Sequence, residues 1–208
     1  MKKITVLLFI TALLCFSGCE NKKSDTPVKH STDIIDKNTT FNDAVVPPLK
    51  ADTNTKKFKL NDIDNKSYTF YFNNKDIFID DIPQKFVLLN FFATWCPPCN
   101  GQLPYISDIQ EKYKGKLFVA GFLVNDADKE YHEIQELTTK YAIDYFISNS
   151  KQNDTFAMEL LKCLKITGNF QLPLTILYKN GKYYTHYEGA TPIEMIEHDI
   201  KKAMKNKE

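Results

Sequence analysis

The stretch FVLLNFFATWCPPCNGQLP, residues 86–104, decides the fold. Phe86 to Phe92 is a nearly unbroken apolar run, as expected of a strand buried on both faces. A helix then opens in the Cys96-Pro97-Pro98-Cys99 segment and runs to about Tyr113. Pro97 and Pro98 cost little there, because first-turn N–H groups have no intrahelical partner, and they stiffen the loop. Pro104, further in, should kink the helix. Two cysteines three apart in a first turn face the same way, close enough for a disulfide. Cys96 lies near unpaired backbone N–H groups and the positive end of the helix dipole, both of which favour thiolate over thiol. In such CxxC motifs the nucleophile's pKa falls from about 8.5 to roughly 3.5–7.5. Inert structural thiols would conflict with exposure at a helix start. A zinc site would need two more ligands, but there is no second CxxC, and Cys163, His132, His186 and His198 are scattered over other elements. No metal is expected.

Outward from this stretch, strand and helix signals alternate over residues 58–208. Phe58 to Leu60 and Tyr68 to Phe72 flank a polar turn around Asp62 to Asn65, predicting an N-terminal β-hairpin extension. Leu117 to Val124 is a second buried strand. Asp128 to Tyr141 is a helix with Tyr131, Ile134, Leu137 and Tyr141 on its apolar face. A short strand at Tyr145 to Ile147 and a helix from about Asp154 to Lys165 follow. Leu174 to Lys179, Asn180-Gly181 and Lys182 to Glu188 make a hairpin with a strong turn signal. Thr191-Pro192-Ile193-Glu194 reads as a capping box opening a last helix that buries Ile193, Ile196 and Ile200. The fold class is α/β, a central mixed sheet flanked by helices.

Composition limits the function classes. With 43% hydrophobic residues the 208-residue chain can build a core without disulfide staples. Lys and Arg total 27 against 26 acids, a formal net charge of +1, so no global field favours nucleic acid, and none is expected as a partner. Every basic residue is lysine, which removes the side chain best suited to bidentate phosphate recognition.

Residues 1–18 read as a signal peptide: Lys2 and Lys3, an apolar run from Ile4 to Phe16 too short to span a bilayer, then small residues. Phe16-Ser17-Gly18-Cys19 resembles a bacterial lipobox, with Phe16 where an aliphatic residue is usual, and makes Cys19 the expected lipidation site. Acyl chains there would anchor the chain to a membrane. Residues 19–57 read as the lipidated cysteine and a polar tether with an r.m.s. reach on the order of 30 Å. Within it, the apolar patch Phe41 to Leu49 either belongs to the tether or docks on the domain.

Three segments, VLLNFFATWCPPC, FVAGFLVND and QLPLTILYKNGK, carry a resemblance over nearly all of residues 58–208. The domain resembles the extracytoplasmic thiol-disulfide oxidoreductases of the TlpA, ResA and CcmG type, with a thioredoxin-like fold. The resemblance implies Cys96 as attacking and Cys99 as resolving cysteine, with Trp95 beside the disulfide. It makes Pro173 the family's cis-proline, leaving the Leu172 backbone to pair with an extended substrate peptide. Asn90 stands where thioredoxins proper carry a buried Asp. Gln102 stands where this branch has a Glu credited with proton handling; Gln hydrogen-bonds but does not titrate. It reads as a tuned substitution or as a plain surface residue. Cys163, on an apolar helix face, reads as a buried inert thiol, and the histidines as surface residues.

The resemblance further implies a lipid-anchored enzyme on the extracytoplasmic, periplasmic side of a bacterial membrane, working through the Cys96–Cys99 pair with no other cofactor. Its expected partners are protein disulfides, apocytochrome c CxxCH cysteines among them, and a membrane electron donor of the DsbD/CcdA type. A periplasmic dithiol oxidant and a client-binding module without redox turnover are the alternatives. An oxidant of the DsbA type would carry a long helical insertion between the CxxC and the cis-proline, for which this interval has no room.

Overall fold

The computed structural model describes residues 54–126, 128–166, 168 and 170–206. The expected signal peptide, Cys19 and the tether before Asn54 lie outside the described residues. The elements are β1 (Lys56–Asn61), β2 (Ser67–Asn73), β3 (Asp76–Ile79), β4 (Phe86–Phe92), α1 (Pro97–Lys112), β5 (Leu117–Leu123), α2 (Tyr131–Lys140), β6 (Phe146–Ser148), α3 (Asn153–Leu164), β7 (Leu174–Lys179), β8 (Lys182–Glu188) and α4 (Ile193–Lys205).

The strands form one mixed sheet in the order β1-β2-β3-β8-β7-β4-β5-β6. β4 lies inside it, parallel to β5 and antiparallel to β7. This is a thioredoxin-like fold. β1 and β2 pair antiparallel, Phe58 opposite Phe70, and β3 joins β2 with Phe70 opposite Ile79. The sequence reading had no β3; its Ile77 and Ile79 are buried at period two, a signal too short to stand out.

Because side chains alternate across a strand, β4 feeds two cores. Val87, Leu89 and Phe91 join Phe156, Leu160 and Leu164 of α3 on one face. Leu88 and Phe92 join Leu103 and Ile106 of α1, Ile134 of α2, and Ile196 and Ile200 of α4 in the other cluster. Phe156 anchors the first core, its ring centroid 4.9 Å from that of Phe122 and 5.3 Å from that of Phe70. Truncating such a residue to Ala costs about 3–5 kcal/mol. Gly121 of β5 permits close packing in the second, since a Cβ there would stand 2.5 Å from Ile147 Cδ1.

Turn chemistry follows the sequence at Asn180-Gly181, where φ is +50° and +74°, as a two-residue hairpin requires. Two local expectations fail. The capping box at Thr191 does not form: Pro192 itself is the N-cap, with ψ 131°, and no side chain caps α4. The helix starts one residue later than the motif needs, which puts Thr191 out of reach of its first amides. Tyr131 is exposed rather than on the apolar face, because α2 begins only at that residue.

Candidate active site

β4 ends at Phe92, and the four residues Ala93 to Cys96 turn the chain into α1. Cys96 is the N-cap, with φ −99° and ψ 101°, and its Sγ accepts a hydrogen bond from the Cys99 N–H at 3.3 Å. The two sulfurs are joined in a disulfide with 5.3 Å between the Cα atoms. Cys96 is 5% exposed and Cys99 fully buried. The expected exposure of Cys96 is therefore small, since the sulfur folds back onto the first turn. The asymmetry still matters: of the two cysteines, only Cys96 keeps any exposed surface. A thiolate there would meet the Cys99 N–H and the helix N-terminus, both of which stabilise negative charge.

The approach loop is fixed from below and from the side. Asp126, buried after β5, accepts from the Thr94 N–H at 2.5 Å and from the Thr94 hydroxyl at 3.3 Å. Asn100 Nδ2 donates to the Thr94 carbonyl at 3.0 Å. Trp95 is 61% exposed, and its Nε1 donates to the Asn125 carbonyl at 3.3 Å. Its indole thus stands largely exposed next to the disulfide, an arrangement suited to contact with another polypeptide.

Across from Cys96, the Leu172–Pro173 peptide bond is cis. Gly189, at φ +72°, approaches closely enough for its N–H to donate to both the Gln171 and Pro173 carbonyls. A Cβ at Gly189 would lie 3.0 Å from Gln171 Oε1. The Leu172 loop and the Cys96 loop border a cleft of about 590 Å³, lined by Trp95, Cys96, Pro97, Pro98, Phe170 and Leu172 among others. Among the described residues no charged side chain lines it.

Beneath the disulfide lies a small neutral polar cluster. Asn90 of β4, fully buried, donates from Nδ2 to Thr175 Oγ1 at 3.0 Å and to Gln102 Oε1 at 3.2 Å. Gln102 sits on the face of α1 that also carries Cys99 and Ile106, and it is 7% exposed, so it is not a surface residue. Asn90 Oδ1 and Gln102 Nε2 have no hydrogen-bond partner among the described residues. Asn90, Gln102 and Thr175 all hydrogen-bond, and none of the three titrates.

Six of the residues singled out in the sequence thus meet at one end of the sheet: Trp95, Cys96, Pro97, Pro98, Cys99 and Leu172, with Pro173 beside them and Asn90 and Gln102 below. Thr175 and Asp126 were missed. Thr175 had no sequence signal, whereas Asp126 ends the FVAGFLVND segment and follows a buried strand. Cys163 is half-buried against the other core, where burial pushes its thiol up. His186 is half-buried rather than on the surface, its Nδ1 2.6 Å from the Tyr183 hydroxyl. Among the described residues no cluster of three or more His, Cys, Asp or Glu could hold a metal ion. No helix among them is long and apolar enough to cross a membrane.

Residues 46–163 match the Redoxin family model. The chain is 32% identical over 133 residues to the thiol-disulfide oxidoreductase ResA of a Bacillus cereus strain, covering 62% of this chain and 69% of that protein. It is 29% identical over 129 residues, with the same coverage, to ResA of Bacillus thuringiensis subsp. konkukian. Among solved structures, a thiol:disulfide interchange protein of the thioredoxin family from Chlorobium tepidum TLS superposes with a TM-score of 0.53 at 20% identity, covering 71% of this chain and 93% of that one. That likeness concerns the fold.

Proposed function

This chain belongs to the Redoxin family and is a thioredoxin-like thiol-disulfide oxidoreductase, and on that premise we propose that it is a membrane-anchored, extracytoplasmic reductase of protein disulfides. The observation that carries the reading is the asymmetric Cys96–Cys99 pair: one sulfur reachable at a helix N-cap, the other sealed beneath it.

In the reduced chain, the Cys96 thiolate attacks one sulfur of a substrate disulfide. A Cys96–substrate bond forms and the substrate's other sulfur leaves as a thiolate, to be protonated by solvent. Cys99 then loses its proton and attacks Cys96 Sγ, and the second substrate thiolate leaves. Two electrons have passed to the substrate, and the chain is left with the Cys96–Cys99 disulfide. A membrane dithiol donor of the DsbD/CcdA type restores the reduced pair by the same exchange run toward this chain. Trp95, Pro97 and Pro98 shape one wall of the cleft. Leu172 lends its backbone to an extended substrate segment, as in strand addition. Apocytochrome c, with its CxxCH cysteines, is the proposed substrate. Lipid on Cys19 holds the enzyme at the membrane, and the residues before the domain let it reach both donor and substrate.

The test is to replace Cys99 by Ala and isolate mixed disulfides from cells. Without the resolving thiol, substrates stay bonded to Cys96. Recovery of apocytochrome c supports the reading. Recovery of assorted newly secreted proteins instead would make the chain an oxidant.

A further inference from the structure

At the other end of the sheet from the disulfide, β3 and β8 pair only at Asp76 and Lys182, and the Ile77 N–H donates to the Gly181 carbonyl at 2.7 Å. Beyond that point the sheet opens into a largely apolar groove of about 660 Å³, lined by Ile77, Phe78, Ile82, Pro83 and Phe86 and also by Asp81, Lys85 and Lys116. Phe86 and Phe92 are the two ends of β4, so this groove lies about 20 Å from the disulfide turn, given roughly 3.3 Å per strand residue. A substrate cysteine bound at Cys96 does not reach it.

We propose that the groove is the seat of this chain's own segment Val45-Val46-Pro47-Pro48-Leu49. Three observations favour that occupant. First, the chain enters the domain beside the groove: Lys56, the first residue of β1, is opposite Phe72, which is opposite Ile77. Two strand spacings separate Lys56 from the groove wall, about 10 Å. The seven residue steps from Leu49 to Lys56 span up to about 23 Å when extended, more than enough to return to it. Second, the match to the Redoxin family begins at residue 46, ahead of β1, so four of the segment's five residues, 46–49, fall within the part of the chain that the family model covers. Third, the chemistry fits. Between Glu20 and Lys57, Val45 to Leu49 is the densest apolar run. Pro47 and Pro48 favour the extended polyproline conformation, which aromatic-lined grooves accept at low entropic cost. Phe78, Phe86 and Pro83 supply such a lining.

Docking there makes residues 45–49 part of the domain and shortens the tether to the residues before them. It also fixes the point of attachment at the pole opposite Cys96, so that the disulfide end of the domain points away from the attachment.

The full chain carrying the photoreactive substitution Val46→p-benzoylphenylalanine, illuminated in membrane vesicles from the expressing cells, tests this. The expected product is an intramolecular adduct on the peptide containing Phe78 to Phe86. That adduct is lost in Ile82→Asp and in the exposed Pro83→Glu, while disulfide reduction by both variants is retained. Adducts on a second copy, on another protein, or spread evenly over the domain would each overturn the proposal.

Discussion

Asn90 Nδ2 donates to Gln102 Oε1 across the base of the disulfide turn, 3.2 Å apart, both residues buried and neither able to titrate. Replacing Gln102 by Leu removes one acceptor from Asn90 Nδ2, which keeps Thr175, so a loss of about 1 kcal/mol in unfolding free energy is expected. Gln102→Glu is the more informative change. Burial would raise the new carboxyl above its ordinary value of about 4.3. The unfolded chain would then release its proton first, so the variant loses stability relative to the parent as pH rises from about 4.3 and matches it below. Denaturation midpoints across acid to neutral pH check the sign. The rate of thiol exchange should gain an inflection that the parent lacks.

Trp95 is the chain's one tryptophan and stands 61% exposed at the cleft. Its emission should change when the adjacent disulfide is reduced, which gives a direct readout of the site. Trp95→Ala should raise KM for a protein disulfide about ten-fold, with kcat changed less, as for an aromatic contact worth roughly 1.4 kcal/mol. Trp95→Phe keeps the apolar face but loses the bond to Asn125. Recovery of KM in that variant assigns the effect to substrate contact.

Glu197 links α4 to α1, accepting from the Tyr113 hydroxyl at 2.8 Å and pairing with Lys112 at 2.5 Å and Lys201 at 3.0 Å. The Lys112 bond first, then those from Tyr113 and Lys201, hold its carboxyl at about 2. Burial and the Glu197 bond push Tyr113 up to about 12. A depressed carboxyl stabilises the fold fully above its unfolded value of about 4.3 and loses that contribution as pH falls toward about 2. Glu197→Gln should cost on the order of 1 kcal/mol at neutral pH, discounted for partial solvent screening, and the difference should vanish in acid.

Labelling cells with radioactive palmitate should mark the wild-type chain and leave Cys19→Ala unmarked, if Cys19 carries the lipid. Label that persists in the variant would place acylation elsewhere.

The sequence carried the centre of the sheet because β4, β5 and β7 are buried on both faces, and Phe86 to Phe92 could hardly be anything else. It carried the cysteine pair for the same reason: a CxxC directly after such a strand has one geometric setting. β3 was lost because four residues hold too little pattern. The capping box at Thr191 misled because proline's extended ψ delayed the helix by one residue. Gln102 showed its departure from the family but not its burial, which depends on Asn90 and Thr175, distant in sequence and brought together by the pairing of β4 with β7. Asp126 was visible only as a polar residue shortly after a strand, since its role lies in bonds to Thr94.

Whether the chain reduces its substrates is decided by the reduction potential of the Cys96–Cys99 pair, obtained by equilibrating the protein in thiol buffers and following Trp95 emission. A reductase requires a value toward the thioredoxin end of the scale, near about −270 mV, and that is the expected result. A value near that of a strong oxidant, about −120 mV, would contradict it.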